Sequence, residues 1–449
     1  MLVPVPPRRP KVRKRLSADA LYRLLRARFA QLPDDRPPNA VFPLADVLQA
    51  AFALFVLKDP SLLAFDARRK DANLHALFGI GHIPSDTQLR AILDAVPPDH
   101  LRPAFTDVFR ELQRGKAREP YVFYRGAYLL SLDGTGYFSS AAIHCPACLE
   151  KTHRNTGRVT YEHQMLAAVL VHPDHREVFP LAPEPIRKQD GSTKNDCERN
   201  AAKRLLKKLR ADPPHLPLIV VEDGLASNAP HIRLLQELSL HFLLGVKPGD
   251  HPFLFDRVTA AYDQDRVTTL AGRAGDARGE LSFVNGLPLN ASNPDLVVNF
   301  LQYAEYGPDG DLRASFAWIT DLRLTRANAR HLMRGGRARW KIENETFNTL
   351  KNQGYRYEHN FGHGQQHLSA VLAVLMMLAF LVDQVQQRCC PLFRATWAKV
   401  GSKRALWDHV RSHFRHFAFR SLRSLYEAIL YDLAKELPPP ELPPAVDTS

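Results

Sequence analysis

The sequence predicts a mixed α/β protein: a sheet-based core carrying a β-rich insertion, flanked by all-helical amino- and carboxy-terminal regions. Three observations carry this expectation. The short apolar runs Tyr128–Asp133 and Leu216–Asp223 read as buried strands, and each stops at an Asp-Gly dipeptide. Helical hydrophobic periodicity extends from about Ser17 to Lys116 and resumes at Leu368. Between these regions the order reads as three strands, helix, strand, helix, strand.

Residues 1–16 form a Pro-rich arm bearing Arg8, Arg9, Lys11, Arg13, Lys14 and Arg15. Such a cationic segment is expected to be disordered and suited to a phosphate backbone. Residues 17–118 read as an all-helical amino-terminal domain. Ser17 caps a helix reaching Leu32, a strongly apolar helix covers Pro43 to Leu57, and an amphipathic one covers Pro98 to Arg114. Ser85 and Gln88 have capping-box spacing ahead of Leu89, Ile92 and Leu93. A helix-turn-helix reader fits this region without a sharp signature for it.

Residues 119–249 carry the first part of the core. After Tyr128–Asp133, strands are expected at His163–Val171 and Glu177–Leu181, separated by a turn at His172-Pro173-Asp174-His175. A cationic helix, Asp196 to Arg210, turns Ala201, Leu205, Leu206 and Leu209 inward; Asp196 reads as its cap and Glu198 as a first-turn charge, with an accessory-carboxylate role for Glu198 the less favoured reading. The strand ending at Asp223, a helix from Asn228 to Leu238 and a strand His241–Val246 complete the order of an RNase H-like sheet. In that arrangement the first and fourth strands are neighbours, which places Asp133 beside Asp223. Residues 250–316 are the β-rich insertion, 317–365 return to the core, 366–437 are helical, and 438–449 are a Pro-rich tail.

Composition narrows the class of partner. The chain has 449 residues, with 60 Lys and Arg against 47 Asp and Glu, a formal charge of +13. An excess of this size draws polyanions, nucleic acid first among them. Five cysteines are too few and too clustered for a disulfide framework, so a reducing, cytoplasmic interior is expected. The apolar stretch Ala370–Val382 is too short to cross a bilayer and reads as a buried helix, so no membrane partner is expected.

An Asp-Gly dipeptide by itself is turn chemistry. Two aspartates delivered to one end of one sheet also suit a divalent cation. A third acidic element, Arg339-Trp340-Lys341-Ile342-Glu343-Asn344-Glu345, bears on the choice. On a regular helix Trp340, Glu343, Phe347 and Leu350 share a face, turning Glu343 toward the protein body, where a carboxylate needs a cation. That cation is either Arg339, one helical turn earlier, or a metal shared with the aspartates.

The order Leu-Asp133-Gly-Thr, Glu-Asp223-Gly, Thr320-Asp321-Leu and Arg339-Trp-Lys-Ile-Glu343, followed by Lys351, resembles the DDE transposases of bacterial insertion sequences. It is most similar to the group whose last catalytic helix bears Tyr-x2-Arg-x3-Glu-x6-Lys after a β-rich insertion. The resemblance spans about 128 to 365. It implies that Asp133, Asp223 and Glu343 are catalytic and bind Mg²⁺, for which Mn²⁺ can substitute, in a two-metal mechanism. It further implies Arg339, Trp340, Lys351 and Tyr355 as DNA contacts. The implied partners are double-stranded DNA, as terminal inverted repeats and as target, and a second copy of the chain. Two positions depart from the pattern: Gly336 occupies the tyrosine slot, and Leu350 falls where the lysine is expected, with Lys351 next. Glu345 therefore stands as the alternative third carboxylate. The rival readings are a catalytically silent DNA-binding protein of the same fold and a nuclease without strand transfer.

Cys145-Pro-Ala-Cys148 has the spacing of half a zinc knuckle. His153, His163 and Cys197 are the residues that would complete four ligands, with Cys145, Cys148, His153 and Cys197 as the candidate structural Zn²⁺ set. The bland alternative is a turn. Residues 352–364, which include Tyr355, Arg356, Tyr357, His359, Phe361 and His363, mix cations, aromatics and glycine. They are expected either to stack on DNA bases or to pack on the core.

Overall fold

The computed structural model describes residues 13–188, 197–212, 215–274 and 277–433. The basic residues before Arg13, the expected cap Asp196 and the Pro-rich tail from Pro438 lie outside them.

Six helices come first: α1 (Ala18–Phe29), α2 (Leu44–Leu57), α3 (Leu62–Asp66), α4 (Ala72–Phe78), α5 (Asp86–Asp94) and α6 (Arg102–Arg114). Local chemistry fixes their starts. Ser17 accepts from the Ala20 amide, and Ser85 and Gln88 form the expected capping box. The α2 helix is buried along its whole length, which makes it a core element and not a surface reader of DNA.

The strands begin with β1 (Val122–Tyr124), β2 (Ala127–Ser140), β3 (Leu149–Thr152), β4 (Val159–His172), β5 (His175–Pro180) and β6 (Glu184–Ile186). There follow α7 (Glu198–Ala211), β7 (Leu218–Glu222), α8 (Ala229–Glu237), β8 (His241–Val246) and α9 (Pro252–Asp263). Then come β9 (Thr268–Ala274), β10 (Ala277–Asn290), β11 (Asn293–Tyr306) and β12 (Leu312–Thr320). The order across the sheet is β3-β4-β2-β7-β8-β12-β11-β10-β9. Pairing of β2 with β7 and of β7 with β8 is parallel, and the outer pairs are antiparallel. This is the RNase H-like core.

Two sequence readings change here. First, β2 does not end at Asp133; it runs on to Ser140 because β4 pairs with it along that whole stretch. Second, the segment read as a β-rich insertion opens with a helix, α9, and its strands then continue the core sheet, since β12 pairs with β8. Val246 opposite Ala317 and Leu243 opposite Thr320 continue the hydrogen-bond ladder across that join.

After the sheet come α10 (Ala329–Arg337), a 3-10 turn (Ala338–Trp340), a π-helical stretch (Ile342–Phe347) and α11 (Asn348–Asn352). The chain ends in α12 (Leu368–Cys389), α13 (Pro391–Val400), α14 (Lys403–His416) and α15 (Leu422–Tyr431). Within the helical region expected over 366–437, α14 ends at His416 and α15 starts anew at a Ser421–Ser424 capping box. The α12 helix is long and apolar enough to cross a membrane by composition, but almost all of it is enclosed by the protein.

The two helical regions pack together. Asn73 on α4 donates to the Phe414 and Phe417 carbonyls, and Asp19 on α1 accepts from the Leu422 and Arg423 amides at the start of α15. At their centre, the fully buried Lys58 ammonium donates to Asp383 on α12 at 2.6 Å and to the Phe55 and Val56 carbonyls. Burial lowers the Lys58 pKa to about 8, with Asp383 acting in the opposite direction. A buried pair of this kind does little for net stability compared with apolar packing, yet removing one member strands the other.

Gly335 and Gly336 let α10 lie flat on the sheet. A Cβ at Gly336 would come within 2.6 Å of the Trp318 ring, and one at Gly335 within 2.7 Å of Phe123. The departure of Gly336 from the tyrosine of the transposase signature therefore has a steric cause. Gly336→Ala should lower stability by about 1–3 kcal/mol through overpacking, read as a lower denaturant midpoint with an unchanged slope. A midpoint equal to that of the native chain would show that Trp318 gives way freely.

Candidate active site

Register places the two aspartates. Along the parallel pair, Tyr128, Leu129, Leu130 and Ser131 face Leu218, Ile219, Val220 and Val221. The same offset carries Asp133 to a position opposite Asp223, one residue beyond the end of β7. Both strands approach this point through almost fully buried residues, so they are held from both faces of the sheet.

Neither Asp-Gly is a left-handed turn, for neither Gly134 nor Gly224 has a positive φ. Gly134 lies within β2 for a different reason. A Cβ there would fall 2.1 Å from the Glu198 carboxylate, so the bare Cα is what lets the first turn of α7 bring Glu198 against the strand. Asp223 is fixed by its own backbone: Oδ1 accepts from the Leu225 amide at 2.9 Å, capping a short 3-10 turn. Glu198, Glu222, Asp223 and His231 join Asp133 around one small cleft. Below it, His231 and Glu222 form a buried pair at 2.6 Å.

The helical element after the insertion brings the third acidic residue. Ser131 Oγ donates to the Arg339 carbonyl at 3.1 Å, tying this element to β2 two residues before Asp133. The Arg339 guanidinium then lies between two carboxylates, 3.5 Å from Asp133 and 2.9 Å from Glu343. Glu343 therefore reaches Asp133 through Arg339 and not by direct approach. The expected inward face was wrong in detail. The 3-10 and π-helical turns shift the spacing, so Ile342, Thr346, Phe347 and Leu350 are buried, whereas Trp340 is 58 % exposed and Glu343 is half-exposed beside Arg339. A π-helical stretch is an uncommon device that recurs at functional sites. Glu345, the alternative carboxylate, turns away and pairs with Arg176 of β5 at 3.3 Å.

Crowding of carboxylates shows in the acid–base chemistry. Burial raises the Asp133 pKa to about 7; Arg339 opposes the shift, and Glu343, Glu198 and Asp223 add to it. Glu198 is raised too, by burial of its carboxyl and by the charges of Asp223 and Glu222. A hard divalent cation is the natural complement of such a set, since oxygen ligands and negative charge are already gathered.

The proposed DNA contacts divide. Arg339 lies at the site, and exposed Trp340 lines an adjoining cavity of about 490 Å³ together with Arg330, Arg334, Arg337 and Lys341. Lys351 is partly exposed and pairs with Glu358 at 2.7 Å. Tyr355 is a correction: it is buried in the core, its hydroxyl bonded to Asp383 and its ring under the Lys58 ammonium. A side chain so enclosed has no face for DNA, and the packing alternative holds for it.

The zinc set also needs correcting. Cys145, Cys148, His163 and His363 come together, with their ligand atoms all within 4.8 Å of one another. His153 instead bonds Thr160 at 3.1 Å in the β3–β4 hairpin, and Cys197 is exposed at the start of α7. His363 was legible only as part of a mixed loop, because 200 residues separate it from His163.

The family described as transposase DDE domain matches residues 142–381, more than half of the chain. The matched span contains Asp223 and Glu343 and begins just after β2, which carries Asp133. No curated protein matches the chain.

The raised Asp133 pKa has a direct consequence for stability. The ordinary carboxylate value is about 4, so the folded state holds this proton more tightly than the unfolded state. The resulting stabilisation is full below about pH 4 and is lost as pH rises through about 7. In divalent-free buffer, the melting temperature of Asp133→Asn should therefore fall less between about pH 5 and 8 than that of the native chain. Parallel curves would remove Asp133 as the titrating group.

Proposed function

The chain belongs to the transposase DDE family, and we propose that it cleaves DNA at the ends of a mobile element and joins the freed 3′ ends to target DNA. The observation that carries this reading is the alignment of Asp133 and Asp223 on adjacent parallel strands, with Glu343 linked to Asp133 through Arg339.

In this reading Asp133, Asp223 and Glu343 hold Mg²⁺, and Glu198 is an accessory carboxylate. The donor set fits the ion: all are hard oxygens, and Asp133, raised chiefly by burial and further by Glu343, Glu198 and Asp223, lacks a full counter-charge. Metal ions held there would supply activation of the attacking oxygen and stabilisation of the leaving one. Arg339 serves as the counter-charge that keeps Asp133 and Glu343 together, and its guanidinium is suited to a DNA phosphate as well. The fork of a guanidinium suits both partners. In the first reaction a water oxygen attacks the scissile phosphorus and the 3′ oxygen leaves, giving a 3′-hydroxyl and a 5′-phosphate. That 3′-hydroxyl then attacks a target phosphodiester and displaces the target's own 3′ oxygen, with no protein nucleophile.

Trp340 and the cationic rim of the neighbouring cavity contact the DNA beside the cleaved strand, and Lys351 contacts phosphate after releasing Glu358. Joining two ends requires two active sites, so the working form is a dimer on DNA. The link from Glu343 through Arg339 to Asp133 and the pairing of Glu345 with Arg176 favour Glu343 as the third ligand.

Asp133→Asn, Asp223→Asn and Glu343→Gln should each reduce Mg²⁺-dependent cleavage of end-containing DNA by at least about 10³-fold, a loss of about 4 kcal/mol in transition-state stabilisation. DNA affinity should change little, and Glu345→Gln should retain cleavage. Full cleavage by Glu343→Gln with loss in Glu345→Gln would reverse the assignment. Cleavage without joining of a precut 3′ end would leave a nuclease, and intact binding without either reaction a silent DNA-binding protein. Inverted repeats bounded by short direct duplications around the coding region are the matching genomic expectation.

A further inference from the structure

We propose that Cys145, Cys148, His163 and His363 form a structural zinc site that fastens the chain leaving the catalytic helix to the core sheet. The site is separate from the carboxylate cleft and does not depend on the reaction assigned to it.

Five of the six separations among the four ligand atoms are close to those of a tetrahedral zinc site, and the sixth is within 4.8 Å. Zinc bonded to sulfur at about 2.3 Å and to nitrogen at about 2.0–2.1 Å places neighbouring ligand atoms roughly 3.3–3.8 Å apart. Here Cys145 Sγ is 3.4 Å from Cys148 Sγ and 3.3 Å from His163 Nε2. Cys148 Sγ is 3.4 Å from the same Nε2 and 3.9 Å from His363 Nδ1, and the two ring nitrogens are 3.2 Å apart. Both cysteines are free thiols, so a disulfide does not account for the approach.

Hydrogen bonding does not satisfy this cluster. His163 Nε2 faces three partners at once, whereas a ring nitrogen has either one lone pair or one proton to offer. A central cation uses one lone pair from each of the four atoms. Two sulfurs and two imidazole nitrogens in tetrahedral array select zinc over hard cations such as Mg²⁺.

The surroundings hold the ligands in place. Cys148 donates its amide to the Cys145 carbonyl at 3.1 Å, and the Cys145 amide points at Cys148 Sγ at 3.3 Å, so the Cys-Pro-Ala-Cys turn presents both sulfurs together. Tyr137 stacks on His163, and Phe138 meets His363 edge-on with ring centres 4.1 Å apart. His363 sits between Gly362 and Gly364, whose φ values of 151° and 64° allow the chain to reverse around it. The same loop is gripped from α5: Arg90 donates to the Phe361 carbonyl, and Asp94 accepts from the amides of residues 365 to 368. Zinc would hold the other side. It would thus link β4, the turn after β2 and the loop between α11 and α12, three segments that local sequence does not connect.

Metal analysis of the full chain, purified with zinc and dialysed, tests this. About one zinc per chain is expected in the native protein and in Asp133→Asn, His153→Ala and Cys197→Ser, with about a tenth or less in Cys145→Ser and His363→Ala. Because ligand variants can misfold, X-ray absorption on the native zinc protein provides a second measurement, with two sulfurs and two nitrogens expected around the metal. A native chain that holds less than about a tenth of an equivalent after refolding with zinc would overturn the proposal. So would a first shell without sulfur, or full zinc retention in both ligand variants.

Discussion

Everything at the candidate active site depends on the parallel pairing of β2 with β7. Ninety residues separate the aligned positions, so this pairing has to form across a long excursion of the chain. The pairing is driven by burial, since β7 is apolar and enclosed on both faces along its whole length. With register set, Asp133 and Asp223 stand side by side without any direct bond between them. The strands then differ in purpose: β7 stops so that Asp223 can cap a turn, while β2 continues along β4 toward the Cys/His cluster.

Gathering carboxylates costs free energy, and several features of the chain offset that cost. Arg339 supplies positive charge between Asp133 and Glu343, His231 pairs with Glu222 beneath the cleft, and Asp133 shifts toward its neutral form. Such strained electrostatics are common where function needs a cation to bind. Gly134 belongs to the same economy of space, since it admits the Glu198 carboxyl to the strand.

The helical regions at the two ends of the chain are one packed body, with α2 and α12 at its centre and Lys58–Asp383 as its polar joint. Tyr355, three residues past α11, reaches into that joint. The loop from Tyr355 to His367 therefore answers to three neighbours: the helical body, α5 through Asp94, and the Cys/His cluster. Disturbing any of these would move the end of the element that carries Arg339 and Glu343.

Local signals in the sequence determined the strand at His241–Val246, the caps at Ser17 and Ser85 and the order of the core elements, because alternation and capping act within a few residues; they also made Asp133, Asp223 and Glu343 the candidates that the proposed function uses. Two sites of interest were only half legible. Cys145 and Cys148 announced a ligand pair, but His363 joins them through folding across 200 residues from His163, so the nearer His153 and Cys197 were preferred. Glu198 read as a first-turn charge because nothing local shows that Gly134 makes room for it. The face presented by Glu343 was likewise a tertiary decision: regular helical spacing turns it inward, whereas burial of Ile342, Thr346 and Phe347 along π-helical turns leaves it half-exposed beside Arg339. The sequence by itself thus determined which groups are available and in what order. Only the tertiary structure decided which of them meet, since register, close backbone approach and helix phase are set by packing between segments far apart in the chain.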